Sequence, residues 1–132
     1  YYVWKVDSTA FVGSSYGAWR DGPSKQGPGT LSLALGEETT VSCTISGAYQ
    51  NKRNIEIALG IEFSKSYYKE SSSSEAVPAG QWWQIIYRPV FRTYCVVERQ
   101  YMHMDGSDMP TANTATSYVN VFSDWDFSHK VL

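Results

Sequence analysis

The feature that most constrains this chain is a two-residue alternation of apolar and polar side chains. Three leucines alternate with small residues in the stretch 31–35, and Val41, Cys43 and Ile45 alternate with a row of serines and threonines. Successive side chains of a β-strand point to opposite faces of a sheet, so this pattern is typical of half-buried antiparallel strands. The sequence therefore predicts an all-β protein.

Composition supports the same fold class. Val, Ile, Thr, Phe, Trp and Tyr make up 46 of the 132 residues, whereas Ala, Leu and Met make up 17. The first group is favoured in strands and the second in helices. We predict one domain over residues 1–132, an antiparallel β-sandwich of compact or elongated form with six to eight strands and little helix.

The most regular alternation lies at residues 55–64, which we predict to be a strand. Its polar positions are small or charged, and its apolar positions are Ile55, Ile57, Leu59, Ile61 and Phe63. In a soluble protein, such a face is explained most simply as part of the sandwich core. A face that meets lipid is the alternative, and it bears directly on function.

The rest of the chain is predicted by similar rules. Residues 69–75 read as a polar connection, and a long central strand follows at 82–99, with a bulge or an edge-facing position at Pro89. An opening strand is predicted at 2–6, and the remainder of the N-terminal third, interrupted by glycines, as mostly loop. No helix longer than a turn is predicted.

Charge excludes one class of partner. Charged residues are 18% of the chain and the net charge is −2, so there is no general attraction for a nucleic acid. Three arginines, Arg88, Arg92 and Arg99, interleave with aromatic residues, a pattern explained by cover of apolar neighbours or pairing with carboxylates. The longest apolar runs span a few residues, too short for a transmembrane helix.

The two cysteines leave two interpretations open. Cys43 and Cys95 both fall on strand-like runs, and a disulfide between them would stabilise the chain by about 4 kcal/mol in an oxidising compartment. Two free thiols are the alternative. The chain begins without a signal-like segment, so we expect a secretion signal to have been removed or never present. Ser and Thr together number 26, and with few charges this composition favours a secreted, extracellular protein.

Motifs for catalysis or metal binding are weak. Residues 13–17 match the G-x-S-x-G pattern of a nucleophile elbow, but no helix pattern follows, so a glycine-bounded turn is the better interpretation. His103 and His129 are predicted at the surface or rim. Aspartates at 105, 108, 124 and 126 match no calcium-loop spacing. We predict no catalytic residue, no metal site and no cofactor.

Aromatic residues are the most unusual feature, with ten tyrosines and five tryptophans. An aromatic ring with one wet end suits protein interfaces, sugar faces and membrane headgroups. Four aromatics flank the serine-rich stretch and are candidate interface residues: Tyr67, Tyr68, Trp82 and Trp83.

One family resemblance covers residues 39–100. A serine- and threonine-alternating strand, the alternating stretch 55–64, the serine-rich run and a long aromatic strand together resemble the membrane module of aerolysin-type and epsilon-toxin-type β-pore-forming proteins. The resemblance implies an amphipathic hairpin that leaves a β-sandwich after oligomerisation and enters lipid. The five apolar residues of 55–64 would then face lipid, and the four flanking aromatics would lie near the headgroups. The polar tip at Lys69 and Glu70 departs from that pattern.

Two functions are therefore expected. The first is a secreted, non-enzymatic protein that acts on membrane lipid, by aerolysin-like pore formation and as a homo-oligomer. The alternative is a cell-surface binding or structural module that recognises a glycan or protein partner through exposed aromatics and can self-assemble by strand addition.

Overall fold

A computed structural model describes all 132 residues, which fold mainly as antiparallel β-strands. Strands hold 71% of the residues and helix 6%. The strands are β1 (Tyr2–Tyr16), β2 (Arg20–Gln26), β3 (Gly29–Leu35), β4 (Val41–Ser42), β5 (Thr44–Gly47), β6 (Ser66–Tyr67), β7 (Ser71–Val77), β8 (Trp82–Met104) and β9 (Ser107–Val131). The predicted all-β fold is confirmed. The strand count exceeds the predicted six to eight because β4 and β6 are only two residues long.

The two longest strands organise the main sheet. Its order is β1-β8-β9-β5, and β2 pairs with the first residues of β8, 82–87. Strands β8 and β9, of 23 and 25 residues, are joined at Asp105 and Gly106, whose φ angles of 52° and 76° are positive. Such turns match the right-handed twist of paired strands. The predicted strand at 82–99 is confirmed and is longer than expected, because it continues into this turn.

The serine-rich run is a strand rather than a connection, so that prediction is wrong. Strand β7 pairs antiparallel with β3, with Leu33 opposite Ser73 and Leu35 opposite Ser71. The leucines of β3 supply most of the apolar face of this strand pair. Strand β7, which has few apolar residues, joins through backbone hydrogen bonds. The outward-facing positions of both strands carry only threonine, serine and alanine.

The N-terminal third is also strand rather than loop. Strands β1 and β2 pair with β8 one after the other, and the break between them lies against Pro89. The backbone N–H of Gly17 donates to the Pro89 carbonyl at 3.0 Å, and a Cβ on Gly17 would lie 2.5 Å from the proline ring. Pro89 therefore occupies the point where its strand changes partner, where its missing N–H costs no ladder bond.

The chain forms two compact units, and neither is a continuous stretch of sequence. The first unit comprises residues 1–14, 42–65 and 92–121, and the second comprises 15–41, 66–91 and 122–132. Each has buried apolar residues of its own. Those of the first are Cys43, Ile55, Ile61, Val96, Ala115 and Val119, and those of the second are Leu31, Leu35, Val41, Val77, Ile85, Phe91 and Trp125. No helix is long and apolar enough to cross a membrane.

Candidate functional site

The predicted strand at 55–64 is wrong, because residues Lys52–Leu59 form the helix α1. Asn51 caps its first turn, with the side-chain oxygen accepting from the backbone N–H groups of Arg53 and Asn54. Gly60 ends the helix in the left-handed conformation, with φ of 70°. An asparagine cap and a C-terminal glycine are strong local helix signals, and here they override the alternation of the apolar residues.

The five apolar residues have different environments: Ile55, Ile57 and Leu59 lie in α1, and Ile61 and Phe63 follow it. Ile55 and Ile61 are buried, Leu59 and Phe63 are half-buried, and Ile57 is 66% exposed. Residues two apart on a helix do not share a face. A segment with a two-residue apolar rhythm must therefore leave some of its apolar side chains in water when it is helical, and Ile57 is that residue.

The segment 42–65 is held to the rest of the first unit by specific contacts. Strand β5 pairs with β9 over four residues. The carboxylate of Glu98, fully buried on β8, accepts from the backbone N–H groups of Gln50 at 2.8 Å and Asn51 at 3.1 Å. The side-chain amide of Asn54 donates to the Trp4 carbonyl at 2.8 Å. These contacts fix the start of α1 against β8 and β1.

Glu98, Asn51 and Asn54 were not predicted as important from the sequence. Glu98 lies two residues after the buried Val96, so both side chains point to the same, inward face of β8. A charged residue on a core face was the one sequence signal that could have drawn attention to Glu98. The buried carboxylate needed partners, and its backbone donors are 47 and 48 residues earlier in the chain. Nothing local in the sequence reveals that separation.

No disulfide joins the two cysteines, of which Cys43 is buried and Cys95 half-buried. Of the two interpretations left open by the sequence, the structure has the one without a disulfide. Cys43 lies between β4 and β5, so the alternating run around it is interrupted rather than one continuous strand.

The four candidate aromatics occupy different settings in the second unit. Tyr67 is half-buried in β6, and Tyr68, which follows it, is exposed. Trp82 is exposed at the start of β8. Trp83 instead stacks on His129, with ring centroids 3.8 Å apart and planes 6° from parallel. Adjacent tryptophans on one strand point to opposite faces, so they cannot form a single platform.

The ring of His129, stacked on Trp83, also contacts a carboxylate. Its Nδ1 lies 2.9 Å from a carboxylate oxygen of Glu75 on β7. The indole N–H of Trp83 donates to the Gln81 side chain at 2.7 Å. The Trp83 ring is therefore held by His129 on one face and by Gln81 at its N–H, and it also packs against the buried apolar cluster of the second unit.

A polar network joins β1, β8 and β9 in the first unit. Asp7 accepts from the Tyr101 hydroxyl at 2.7 Å and from Arg99 Nε at 2.9 Å, and both bonds lower the pKa of Asp7. Asp108 pairs with Lys5 and with His103, and the hydrogen bond from Lys5, followed by that from His103, lowers its pKa. Both carboxylates stabilise the fold when ionised, and this stabilisation is lost as the pH falls through their lowered pKa values.

We expect the Tyr101→Phe substitution to raise the pKa of Asp7 toward its ordinary value of 3.8, because the hydroxyl is the main cause of the depression. Arg99 remains, so the recovery should be partial. Carboxyl NMR titration measures the change, and Tyr118→Phe, at an exposed tyrosine on β9, is the control. An unchanged Asp7 pKa in Tyr101→Phe would contradict the assignment.

The remaining motifs fall into ordinary structural settings. The predicted glycine-bounded turn at 13–17 is wrong, because residues 13–16 lie at the end of β1 and only Gly17 belongs to the connection to β2. Asp124 pairs with Lys69, and Asp126 with Arg88. No group of three or more histidine, cysteine or acidic side chains is arranged to hold a metal ion.

Comparison with known proteins adds no relative to this description. No protein-family model matches the chain, and no curated protein matches it significantly in sequence. The function must therefore be argued from the residues themselves.

Proposed function

We propose that this protein is a secreted, non-catalytic membrane-active protein whose segment 39–64 refolds into a β-hairpin, with its turn at 48–54 rather than at Lys69 and Glu70, and enters lipid, as in aerolysin-type pore formation. One observation carries the proposal. Residues 55–64 have the alternation of a strand, but residues 55–59 rest in the helix α1, where Ile57 is exposed, and residues 60–64 form the cap and turn that follow it. The apolar alternation favours a strand while the caps at Asn51 and Gly60 favour the helix, and such a conflict between local signals favours a segment that has a second conformation.

The two arms of the proposed hairpin have matching patterns. In the arm 39–47, Val41, Cys43 and Ile45 alternate with serine and threonine. In the arm 55–64, the apolar positions are also odd-numbered, and the even positions are alanine, glycine, serine and glutamate. Transmembrane strands need about 9 to 11 residues, apolar toward lipid and polar toward the lumen. The arm 55–64 meets this requirement along its whole length, and the arm 39–47 meets it at its three central lipid-facing positions.

Refolding requires the segment to give up its contacts in the resting fold and to form new ones in the hairpin. An isolated helix of eight residues is marginal in water, so α1 depends on its tertiary contacts with Glu98 and Trp4. Lipid would bury Ile57, which is exposed at rest. Because unpaired strand edges are not tolerated in lipid, one hairpin is insufficient and several copies must close a barrel. The proposal therefore includes homo-oligomerisation on membrane lipid.

The decisive test is a charge at Ile57. In Ile57→Lys the new side chain replaces an exposed residue, so the resting fold should change in stability by no more than about 0.5 kcal/mol. In the hairpin it would face lipid, where a lysine costs about 2–4 kcal/mol per strand at the bilayer midplane. We expect dye release from phosphatidylcholine–cholesterol vesicles to slow at least tenfold.

The matched control is Ala58→Lys, at the neighbouring exposed position of the same helix. Position 58 is even-numbered, so its side chain would face the lumen and dye release should persist. Circular dichroism and thermal unfolding of both variants confirm the resting fold. Equal release by Ile57→Lys and wild type, or no release by wild type, would contradict the proposal.

A further inference from the structure

An exposed cluster in the second unit consists of Tyr16, Trp19, Arg88 and Asp126, here called the Arg88 cluster. The guanidinium carbon of Arg88 lies 4.0 Å from the ring centroid of Tyr16 and 4.3 Å from that of Trp19. Arg88 Nε donates to Asp126 at 2.8 Å. The guanidinium thus lies over the faces of two aromatic rings and is held along one edge by a carboxylate.

The backbone fixes the two rings around Arg88. Tyr16 ends β1, and Trp19 directly precedes β2, so the three-residue connection 17–19 sets their spacing. Gly17 anchors that connection through its bond to the carbonyl of Pro89, the residue after Arg88. No larger residue fits at Gly17, because a Cβ there would overlap the Pro89 ring. The cluster is therefore ordered before any ligand arrives, which lowers the entropic cost of binding.

The rings are exposed even though they are ordered. Tyr16 is 53% and Trp19 42% exposed, and the side chains of Arg88 and Asp126 are also partly open to water. Their inner faces contact Arg88, so the open area is their outer faces and edges. Ordered tryptophan, tyrosine and arginine side chains that remain in water are typical of binding sites.

We propose that the Arg88 cluster binds a neutral hexose of a glycan. The apolar C–H face of a pyranose ring matches the outer face of Trp19, and aromatic walls with a few polar groups are typical of small-ligand sites. Only Nε of Arg88 bonds Asp126, so the terminal amino groups of Arg88 can donate to sugar hydroxyls while the second carboxylate oxygen of Asp126 can accept from them. The charges of Arg88 and Asp126 cancel, which favours an uncharged ligand over a sialylated or sulfated one.

This site is independent of the proposed membrane activity. It lies in the second unit and uses no residue of the segment 39–64. Either proposal can fail while the other stands.

A glycan array of neutral, sialylated and sulfated structures, probed with the labelled full chain, tests the proposal. We expect binding to neutral glycans, followed by calorimetry on the strongest ligand. Trp19→Ala should weaken that binding at least tenfold, whereas Trp19→Phe, which keeps a ring, should stay within about threefold of wild type. Trp82→Ala, at an equally exposed tryptophan elsewhere in the second unit, is the control and should bind normally.

Thermal unfolding of each variant separates loss of binding from loss of fold, and Arg88→Lys provides a second variant if Trp19→Ala does not fold. Lysine keeps the charge but loses the planar stack, so it should also weaken binding at least tenfold. The proposal is overturned if no glycan binds, if only charged glycans bind, or if Trp82→Ala rather than Trp19→Ala abolishes binding.

Discussion

Replacing Trp125 with alanine is expected to lower the free energy of unfolding by about 3–5 kcal/mol, the range for removing a large aromatic from a core. Trp125 is 5% exposed. Its ring meets those of Phe122 at 5.4 Å and Tyr87 at 5.5 Å in edge-on geometry, and Arg20 lies over it at 5.2 Å. No other aromatic of the second unit joins as many of these ring contacts.

A second substitution separates packing from hydrogen bonding at this position. The indole nitrogen of Trp125 is buried without a hydrogen-bond partner. Trp125→Phe removes that unpaired donor and keeps a ring, so it leaves a smaller cavity and we expect it to cost less than Trp125→Ala. Chemical denaturation measures both variants, and Trp82→Ala, at an exposed tryptophan, is the control. A loss in Trp125→Ala no larger than in this control would contradict the assignment of Trp125 to the core.

Replacing Glu98 with alanine is expected to destabilise the first unit by about 3 kcal/mol. The substitution removes the hydrogen bonds from the N–H groups of Gln50 and Asn51 to a carboxylate, and a hydrogen bond to a charged group contributes about 1.5–3 kcal/mol. Hydrogen exchange should show the amides of Gln50, Asn51 and α1 losing protection before those of β8 and β9.

The control is Glu37→Ala, which removes the same side chain at an exposed position and should leave stability unchanged. Glu98→Ala also bears on the proposed function, because it loosens the resting state of the segment 39–64 without altering the apolar face of the hairpin. We therefore expect faster dye release from vesicles in Glu98→Ala. Normal hydrogen-exchange protection of α1 in this variant would contradict the role assigned to Glu98.

Sequence patterns predicted the fold class well and local structure unevenly. The strand at 82–99 was predicted because apolar side chains on both parities indicate burial on both faces. Apolar alternation predicts a connection at 69–75 because serines carry no apolar signal, but residues 71–75 pair with the leucine-containing strand β3 some forty residues earlier. The helix at Lys52–Leu59 was missed because its caps, Asn51 and Gly60, were outweighed by the alternation between them.

The candidate sites were predicted in part. The segment around Ile57 was singled out by sequence, but its helical conformation was not. The Arg88 cluster was not predicted, because it assembles Tyr16, Trp19, Arg88 and Asp126 from three regions of the chain. The high aromatic content predicts that some rings are exposed, but no pattern along the chain predicts which rings contact one another.

The sequence by itself determined that this protein is built from sheets, because side-chain alternation is a local property that each strand carries within itself. Only the tertiary structure decided which strands pair, where Glu98 finds its donors and which aromatics surround Arg88. Those choices depend on contacts between residues far apart in the chain, and their free energies arise only when the folded backbone brings them together.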